Sequence, residues 1–164
     1  MTSVGKQKKG QIMRKPRIYL ETTMFNHYFD VDREAHADTA RVFQEIKLGR
    51  YEAYTSFYVI VELDKAGEPK RSNMFALISE YNITVLEDTE ESRYLADIYV
   101  SEGIIPVKYR FDGLHIAIAT VYDLDYIFSL NFQHINKVKT KLMTGSINVR
   151  EGYKSVIIAS PMEV

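Results

Sequence analysis

The sequence contains no cysteine, no tryptophan and no long run of apolar residues, and its charges nearly cancel. Without cysteine the chain cannot form a disulfide, a thiolate nucleophile or a zinc–thiolate site. No segment is long and apolar enough for a transmembrane helix, and the basic start lacks the apolar core of a signal peptide. A formal net charge of −1 creates no overall positive field that would attract nucleic acid. These absences predict a cytoplasmic protein with no membrane partner, which would meet a polyanion only through a local patch or a metal ion.

The chain has 164 residues, 46% of them hydrophobic, which is enough for one domain with a sizeable core. Residues 1–15 are basic with few apolar neighbours, which predicts a disordered N-terminal lead before a domain over 16–164. Within 16–164, short apolar runs alternate with segments of helical periodicity. This alternation predicts an α/β fold, a three-layer α/β/α sandwich with a central, mainly parallel five-stranded sheet. The predicted strands are 17–20, 51–56, 83–87, 125–130 and 155–160, and the predicted helices are 39–49, 57–66, 70–81, 90–103, 112–124 and 136–148.

Four polar residues hold positions that could bring them together at one edge of this sheet. Glu21 directly follows the strand "RIYL", and Asn131 directly follows "YIFSL". Glu62 lies inside the apolar helix "FYVIVELDKA", and Asp112 opens the helix "DGLHIAIATVY". Right-handed crossovers place the strand-to-helix turns of a parallel sheet on one edge, where ligands of such sheets bind. We therefore expect the four residues to converge there.

Each of these residues also has an ordinary structural explanation. Glu62 suits a solvated helix position, Asp112 is a favoured N-cap residue, and Asn131 suits a turn. The helix after Asp112, however, is apolar on nearly all sides, which predicts that its start lies in the interior. Carboxylates crowded there would repel one another, and a divalent cation would remove that repulsion. Oxygen ligands without cysteine favour Mg²⁺ or Mn²⁺, which indicates a metal-dependent phosphodiesterase.

The segments "YLETT", "IVEL", "FDGLHIAIAT" and "IFSLNFQHI", in this order, resemble the PIN-domain nucleases. More narrowly, they are similar to the toxin-like ribonucleases of virulence-associated protein C type, which belong to type II toxin–antitoxin systems. The resemblance runs from about residue 17 to the C-terminus and is most specific over 112–135. It implies a Mg²⁺- or Mn²⁺-dependent endoribonuclease that hydrolyses RNA, forms a homodimer and is held inactive by a cognate antitoxin protein.

Carried over position by position, the resemblance implies four catalytic residues, of which the first and third would bind the metal ion. Two hydroxyl residues beside them match supporting positions of the family. The implied catalytic residues are Glu21, Glu62, Asp112 and Asn131, the metal ligands among them are Glu21 and Asp112, and the supporting residues are Thr22 and Ser129.

Two positions depart from the family pattern. The family has Asp where this chain has Glu21, and relatives favour Trp where Leu130 stands. Because Glu is one methylene longer than Asp, we expect weakened activity, and we expect Glu21→Asp to raise it. The departure at Glu21 keeps an alternative open, in which the chain is a catalytically weakened PIN-fold module that binds RNA or a protein partner without efficient cleavage.

Three further features of the sequence bear on binding. Lys108 and Arg110 immediately precede Asp112 and are therefore candidates for contacting a nucleic-acid backbone. His115 lies one helical turn after Asp112, and in so apolar a helix we interpret it as a hydrogen-bonded core residue outside the catalytic set. A nucleotide-binding regulatory domain is disfavoured, because the turn "ETTMFN" has no glycine to accommodate a phosphate.

Overall fold

A computed structural model describes residues 14–164, so most of the predicted disordered lead over 1–15 lies outside the described residues. Within the described residues, five strands form one sheet in which every neighbouring pair is parallel. This confirms the predicted α/β fold with its central five-stranded sheet. The strands are β1 (Arg17–Leu20), β2 (Glu52–Ser56), β3 (Thr84–Leu86), β4 (Tyr126–Phe128) and β5 (Ile157–Ala159).

Residues 14–164 also form seven α-helices. Six of them lie where the periodicity of the sequence predicts a helix, with ends that differ by a few residues. Across the same residues, no helix combines the length and the apolar character required to cross a membrane. The helices are α1 (Thr22–Phe29), α2 (His36–Lys47), α3 (Phe57–Leu63), α4 (Lys70–Glu80), α5 (Glu90–Ser101), α6 (Arg110–Val121) and α7 (Val138–Arg150).

The helix α1 is the one that the sequence patterns do not predict. It has eight residues, and its N-cap is Glu21, a residue type outside the usual set of Ser, Thr, Asp and Asn. Met24 and Phe25 in this helix are fully buried. Because so short a helix is marginal in isolation, packing of these side chains into the core stabilises it.

The order of the strands places β1 at the centre of the sheet. The order is β3-β2-β1-β4-β5. The strands β2 and β3 therefore follow one another on one side of β1, and β4 and β5 follow one another on the other side. Right-handed crossovers in the two directions place helices on opposite faces of the sheet. The order reverses between β1 and β4, and the crevice beyond the carboxyl ends of two such strands is where open α/β sheets bind ligands.

The helix α6 brings Asp112 to this same edge of the sheet. It leads into β4 and therefore begins near the carboxyl ends of the strands. The helix begins at Arg110, earlier than predicted, so Asp112 lies in its first turn and is not its N-cap. Residues 113–120 of the helix are all buried, which agrees with the apolar character of its sequence.

Candidate active site

Glu21 lies at the point where the strand order reverses, and its side chain joins β1 to the end of β4. Only 3% of the residue is exposed. Its Oε1 atom accepts hydrogen bonds from Ser129 Oγ at 2.7 Å and from Thr23 Oγ1 at 2.6 Å. Its Oε2 atom accepts a longer bond of 3.3 Å from the backbone N–H of Thr23, which makes Glu21 the N-cap of α1. Among the described residues, Oε2 is therefore the less engaged oxygen of this carboxylate.

The segment after β4 is tied to Glu21 through hydroxyl groups. Besides donating to Glu21, Ser129 Oγ accepts the backbone N–H of Asn131 at 3.0 Å. Thr23 Oγ1 accepts the backbone N–H of Leu130 at 2.8 Å. The side-chain oxygen of Asn131 accepts the backbone N–H of His134 at 3.1 Å. Asn131 thus stands beside the site, with its amide oxygen stabilising the turn that follows, as its ordinary structural explanation required.

The Glu62 carboxylate is held by hydrogen bonds from two other helices, α1 and α6. Its Oε1 atom accepts hydrogen bonds from Thr22 Oγ1 at 2.8 Å and from His115 Nε2 at 2.5 Å. The side chain remains 29% exposed. Burial by itself raises the pKa of the Glu62 carboxyl, but the hydrogen bond and charge of His115, together with Thr22, lower that pKa below its usual value. Glu62 is therefore held in its ionised form.

His115 connects two of the site's structural elements. The residue has no exposed surface. Its Nδ1 atom lies 2.6 Å from the hydroxyl of Tyr19, and its Nε2 atom contacts Glu62. Burial alone lowers the pKa of His115, but the hydrogen bond and charge of Glu62, with the charges of Glu21 and Asp112, raise the pKa above its usual value. His115 is a hydrogen-bonded core residue as expected, but its contact with Glu62 is invisible in the sequence, because the two residues lie 53 positions apart.

Asp112 differs from the other two acids, because no group among residues 14–164 donates a hydrogen bond to its carboxylate. The residue is half-buried. Burial raises the pKa of the Asp112 carboxyl, the charges of Glu21 and Glu62 raise it further, and His115 and His134 oppose them. Burial is the largest of these effects, and the charge of His115 is the largest among the charged groups. Because no group among residues 14–164 donates a hydrogen bond to this half-buried carboxylate, a cation would stabilise its ionised form.

The donor set fits a hard divalent cation held by few protein ligands. Within the described residues, no three acidic or histidine side chains are grouped closely enough to enclose a metal ion. Mg²⁺, however, commonly binds through one or two carboxylates and keeps several of its waters. Asp112, whose oxygens accept no hydrogen bond from residues 14–164, and Glu21, through Oε2, are the residues that suit such an ion. Their assignment as ligands stays a prediction.

A cleft of about 650 Å³ opens beside Asp112 and Asn131. Arg33 and Lys70 lie along it, and both contact the carboxylate of Asp30, at 4.0 and 3.2 Å. Next to Asp112, the rings of Tyr109 and His134 stack with their centroids 4.0 Å apart and their planes 24° apart. The cleft therefore combines cationic and aromatic side chains, the two kinds of group that bind a nucleic-acid strand.

The two basic residues singled out in the sequence lie elsewhere. The Arg110 guanidinium contacts Asp97 Oδ1 at 2.9 Å, and the Lys108 ammonium lies 5.7 Å from the centre of the Tyr109 ring. Neither residue lines the cleft, so their role in binding nucleic acid stays a prediction. The cleft is lined instead by the cations Arg33 and Lys70. They are far apart in the sequence, so no local sequence pattern predicts that they lie along the same cleft.

The order and direction of the strands are those of a PIN-like α/β fold, and two solved structures share that fold. VapC20 from Mycobacterium tuberculosis, a toxin that cleaves the sarcin–ricin loop, matches 85% of this chain and 98% of its own, with a TM-score of 0.56 at 12% identity. VapBC2 from Rickettsia felis, solved bound to a DNA fragment from its promoter, matches 88% of this chain and 98% of its own, with a TM-score of 0.53 at 9% identity. No family model matches the chain, and no curated protein does. The resemblance to the toxin-like PIN domains is thus confirmed at the level of the fold.

Proposed function

We propose that this protein is a metal-dependent endoribonuclease of PIN-domain type. The observation that carries the proposal is the half-buried carboxylate of Asp112, to which no group among residues 14–164 donates a hydrogen bond and on which the charges of Glu21 and Glu62 act. Such a carboxylate, at the edge where α/β sheets bind ligands, suits Mg²⁺ or Mn²⁺. A bound ion would supply an activated water and would neutralise charge on a phosphodiester.

Each residue of the site has a distinct proposed role. Asp112 and Glu21 hold the ion. Glu62, kept ionised by its hydrogen bonds, accepts a proton from water or orients it, and Asn131 completes the polar edge. The supporting hydroxyls act through contacts already described, since Ser129 donates to Glu21 and Thr22 donates to Glu62.

We propose single-stranded RNA as the substrate. The cleft beside Asp112 offers cationic side chains for phosphates and an aromatic stack for an unpaired base. The activity of VapC20, a toxin that cleaves the sarcin–ricin loop, supports RNA as the substrate. The likeness to the toxin VapC20 and to VapBC2 supports the further proposal that the chain is the toxin of a toxin–antitoxin pair. We place this pair in the cytoplasm. A cognate antitoxin and a second copy of the chain are then its protein partners.

The proposal is tested by cleavage of a single-stranded RNA with and without metal. We expect cleavage in Mn²⁺ or Mg²⁺, none after chelation, and none in Asp112→Asn, which removes the charge but keeps the shape. Asp123→Asn is the matched control, because Asp123 lies just beyond the end of the same helix, its side chain is 66% exposed, and its positive φ of 58° suits asparagine. Cleavage that persists in Asp112→Asn would contradict the proposal.

The alternative is a weakened PIN-fold module that binds RNA or a protein partner without cutting. It is favoured by the engagement of Glu21 as the N-cap of α1 and by the absence of a three-residue metal cluster within residues 14–164. Calorimetric titration with Mn²⁺, followed by RNA binding and cleavage assays on one preparation, separates the two functions. RNA binding with no metal site and no cleavage would establish the alternative.

A further inference from the structure

A continuous chain of hydrogen bonds runs through the core to Glu62. Ser56 Oγ lies 2.7 Å from the Tyr19 hydroxyl, which lies 2.6 Å from His115 Nδ1, and His115 Nε2 lies 2.5 Å from Glu62 Oε1. Ser56, Tyr19 and His115 have no exposed surface at all. The chain joins β1, β2, α3 and α6, the elements that carry or precede the three acids of the site.

The chemistry of the chain determines which atom donates at its end. An ionised carboxylate only accepts hydrogen bonds, so His115 Nε2 carries the proton in its bond with Glu62. If the imidazole is neutral, Nδ1 accepts from Tyr19; if it is charged, Nδ1 donates to Tyr19. The Tyr19 hydroxyl can fill either role, because Ser56 offers both a donor and an acceptor. The donor to Glu62 is thus maintained in both protonation states of the ring.

The contacts of Glu62 are unequal between its two oxygens. Thr22 Oγ1 and His115 Nε2 both donate to Oε1. In the described part of the chain, no group donates to Oε2. A carboxylate held at one oxygen from two directions cannot rotate without breaking both bonds, and its other oxygen is left for a water molecule or the substrate.

We propose that Tyr19 and His115 are positioning residues, which fix Glu62 by its Oε1 atom so that Oε2 is presented to the reaction. The inference rests on the proposed nuclease function, in which Glu62 acts on a proton of water. Neither Tyr19 nor His115 touches the substrate in this arrangement. Both act through Glu62, and loss of either one should have no additional effect once the Glu62 carboxylate is gone.

A double-mutant cycle tests this dependence. Tyr19→Phe keeps the ring and removes the hydroxyl, and we expect kcat to fall about 10-fold, the worth of one hydrogen bond, with KM for RNA unchanged. In the Glu62→Gln background, Tyr19→Phe should change kcat by less than about 2-fold. Tyr99→Phe is the matched control, because Tyr99 is equally buried and donates its hydroxyl bond to Asn148 instead. It should leave kcat at the wild-type value.

A second measurement does not depend on activity. The ¹⁵N signals of the His115 ring in the metal-free protein should shift in Tyr19→Phe and in Glu62→Gln, and should not shift in Tyr99→Phe. If Tyr19→Phe does not fold, His115→Gln, which keeps an N–H donor, should retain more activity than His115→Leu.

The outcomes separate this inference from the proposed function. Wild-type cleavage with equal losses from Tyr19→Phe in both backgrounds would overturn the positioning role and leave the nuclease intact. If the wild type does not cleave RNA but the His115 signals shift as expected, the proposed nuclease function is refuted. The inference that Tyr19 and His115 position Glu62 is then retained. Unshifted His115 signals would overturn the positioning role whether or not the wild type cleaves.

Discussion

The substitution Glu21→Asp tests whether the site is adapted to the longer carboxylate. The resemblance to the family predicts a gain of activity, because the family has Asp at this position. The structure favours the opposite outcome. Ser129 donates to Glu21 across the reversal point of the sheet at 2.7 Å, and this contact depends on the length of the glutamate side chain.

The size of the effect follows from the geometry. Removing one methylene withdraws the carboxylate by about 1.5 Å, one C–C bond length, so the bond from Ser129 stretches well beyond hydrogen-bonding distance. A hydrogen bond to a charged group contributes roughly 1.5–3 kcal/mol. The cap of α1 is retained, because Asp is itself a favoured N-cap residue. We therefore expect a loss of about 2 kcal/mol in the free energy of unfolding, or roughly 4–8 °C in Tm for a chain of this size.

Calorimetric unfolding and initial cleavage rates measure the two consequences of this change. Glu87→Asp is the matched control, because Glu87 also directly follows a strand, β3, but is exposed, and its Tm should not change. Glu21→Gln adds a second comparison, since it keeps the length and loses the charge. A Glu21→Asp protein with unchanged Tm and faster cleavage would refute our reasoning and show that Glu21 is a ligand one methylene too long.

Three further predictions concern charge and metal. Asp112→Asn should raise the Tm of the metal-free protein. The pKa of Asp112 is raised in the folded protein, so its ionised form destabilises the fold. The gain in Tm should therefore grow as pH rises above about 4, where the carboxylate ionises. At 100 times its Kd, Mn²⁺ should stabilise the wild type by about 2.7 kcal/mol, measured by thermal shift, and should not stabilise Asp112→Asn. The raised pKa of His115 stabilises the fold below about pH 6.5, and this contribution is lost as pH rises through the folded pKa. Glu62→Gln should flatten that decline in pH-dependent denaturation, and an unchanged slope would contradict the pairing.

Most elements of the fold were predictable, because local patterns of apolar residues indicate each of the five strands and six of the helices. Helix α1 was not predictable, because its N-cap is a glutamate, and the side chain of that glutamate accepts a hydrogen bond from Ser129, 108 positions away. The expectation that the acids converge at one edge follows from the handedness of crossovers. The hydrogen-bond partners of each acid could not be predicted. Contacts such as that between His115 and Glu62 join distant segments, and no periodicity of the sequence indicates them.

The first turn of α1 carries two adjacent hydroxyls that serve different acids. Thr22 donates to Glu62, and Thr23 donates to Glu21. The first turn of α1 therefore positions both carboxylates. The buried side chains of Met24 and Phe25, which follow in the same helix, fix the position of this turn against the core. A displacement of this turn, by a partner protein or by a cavity in the core beneath it, would misalign both acids in one movement. A change inside the core would thus switch off activity with no residue of the site substituted.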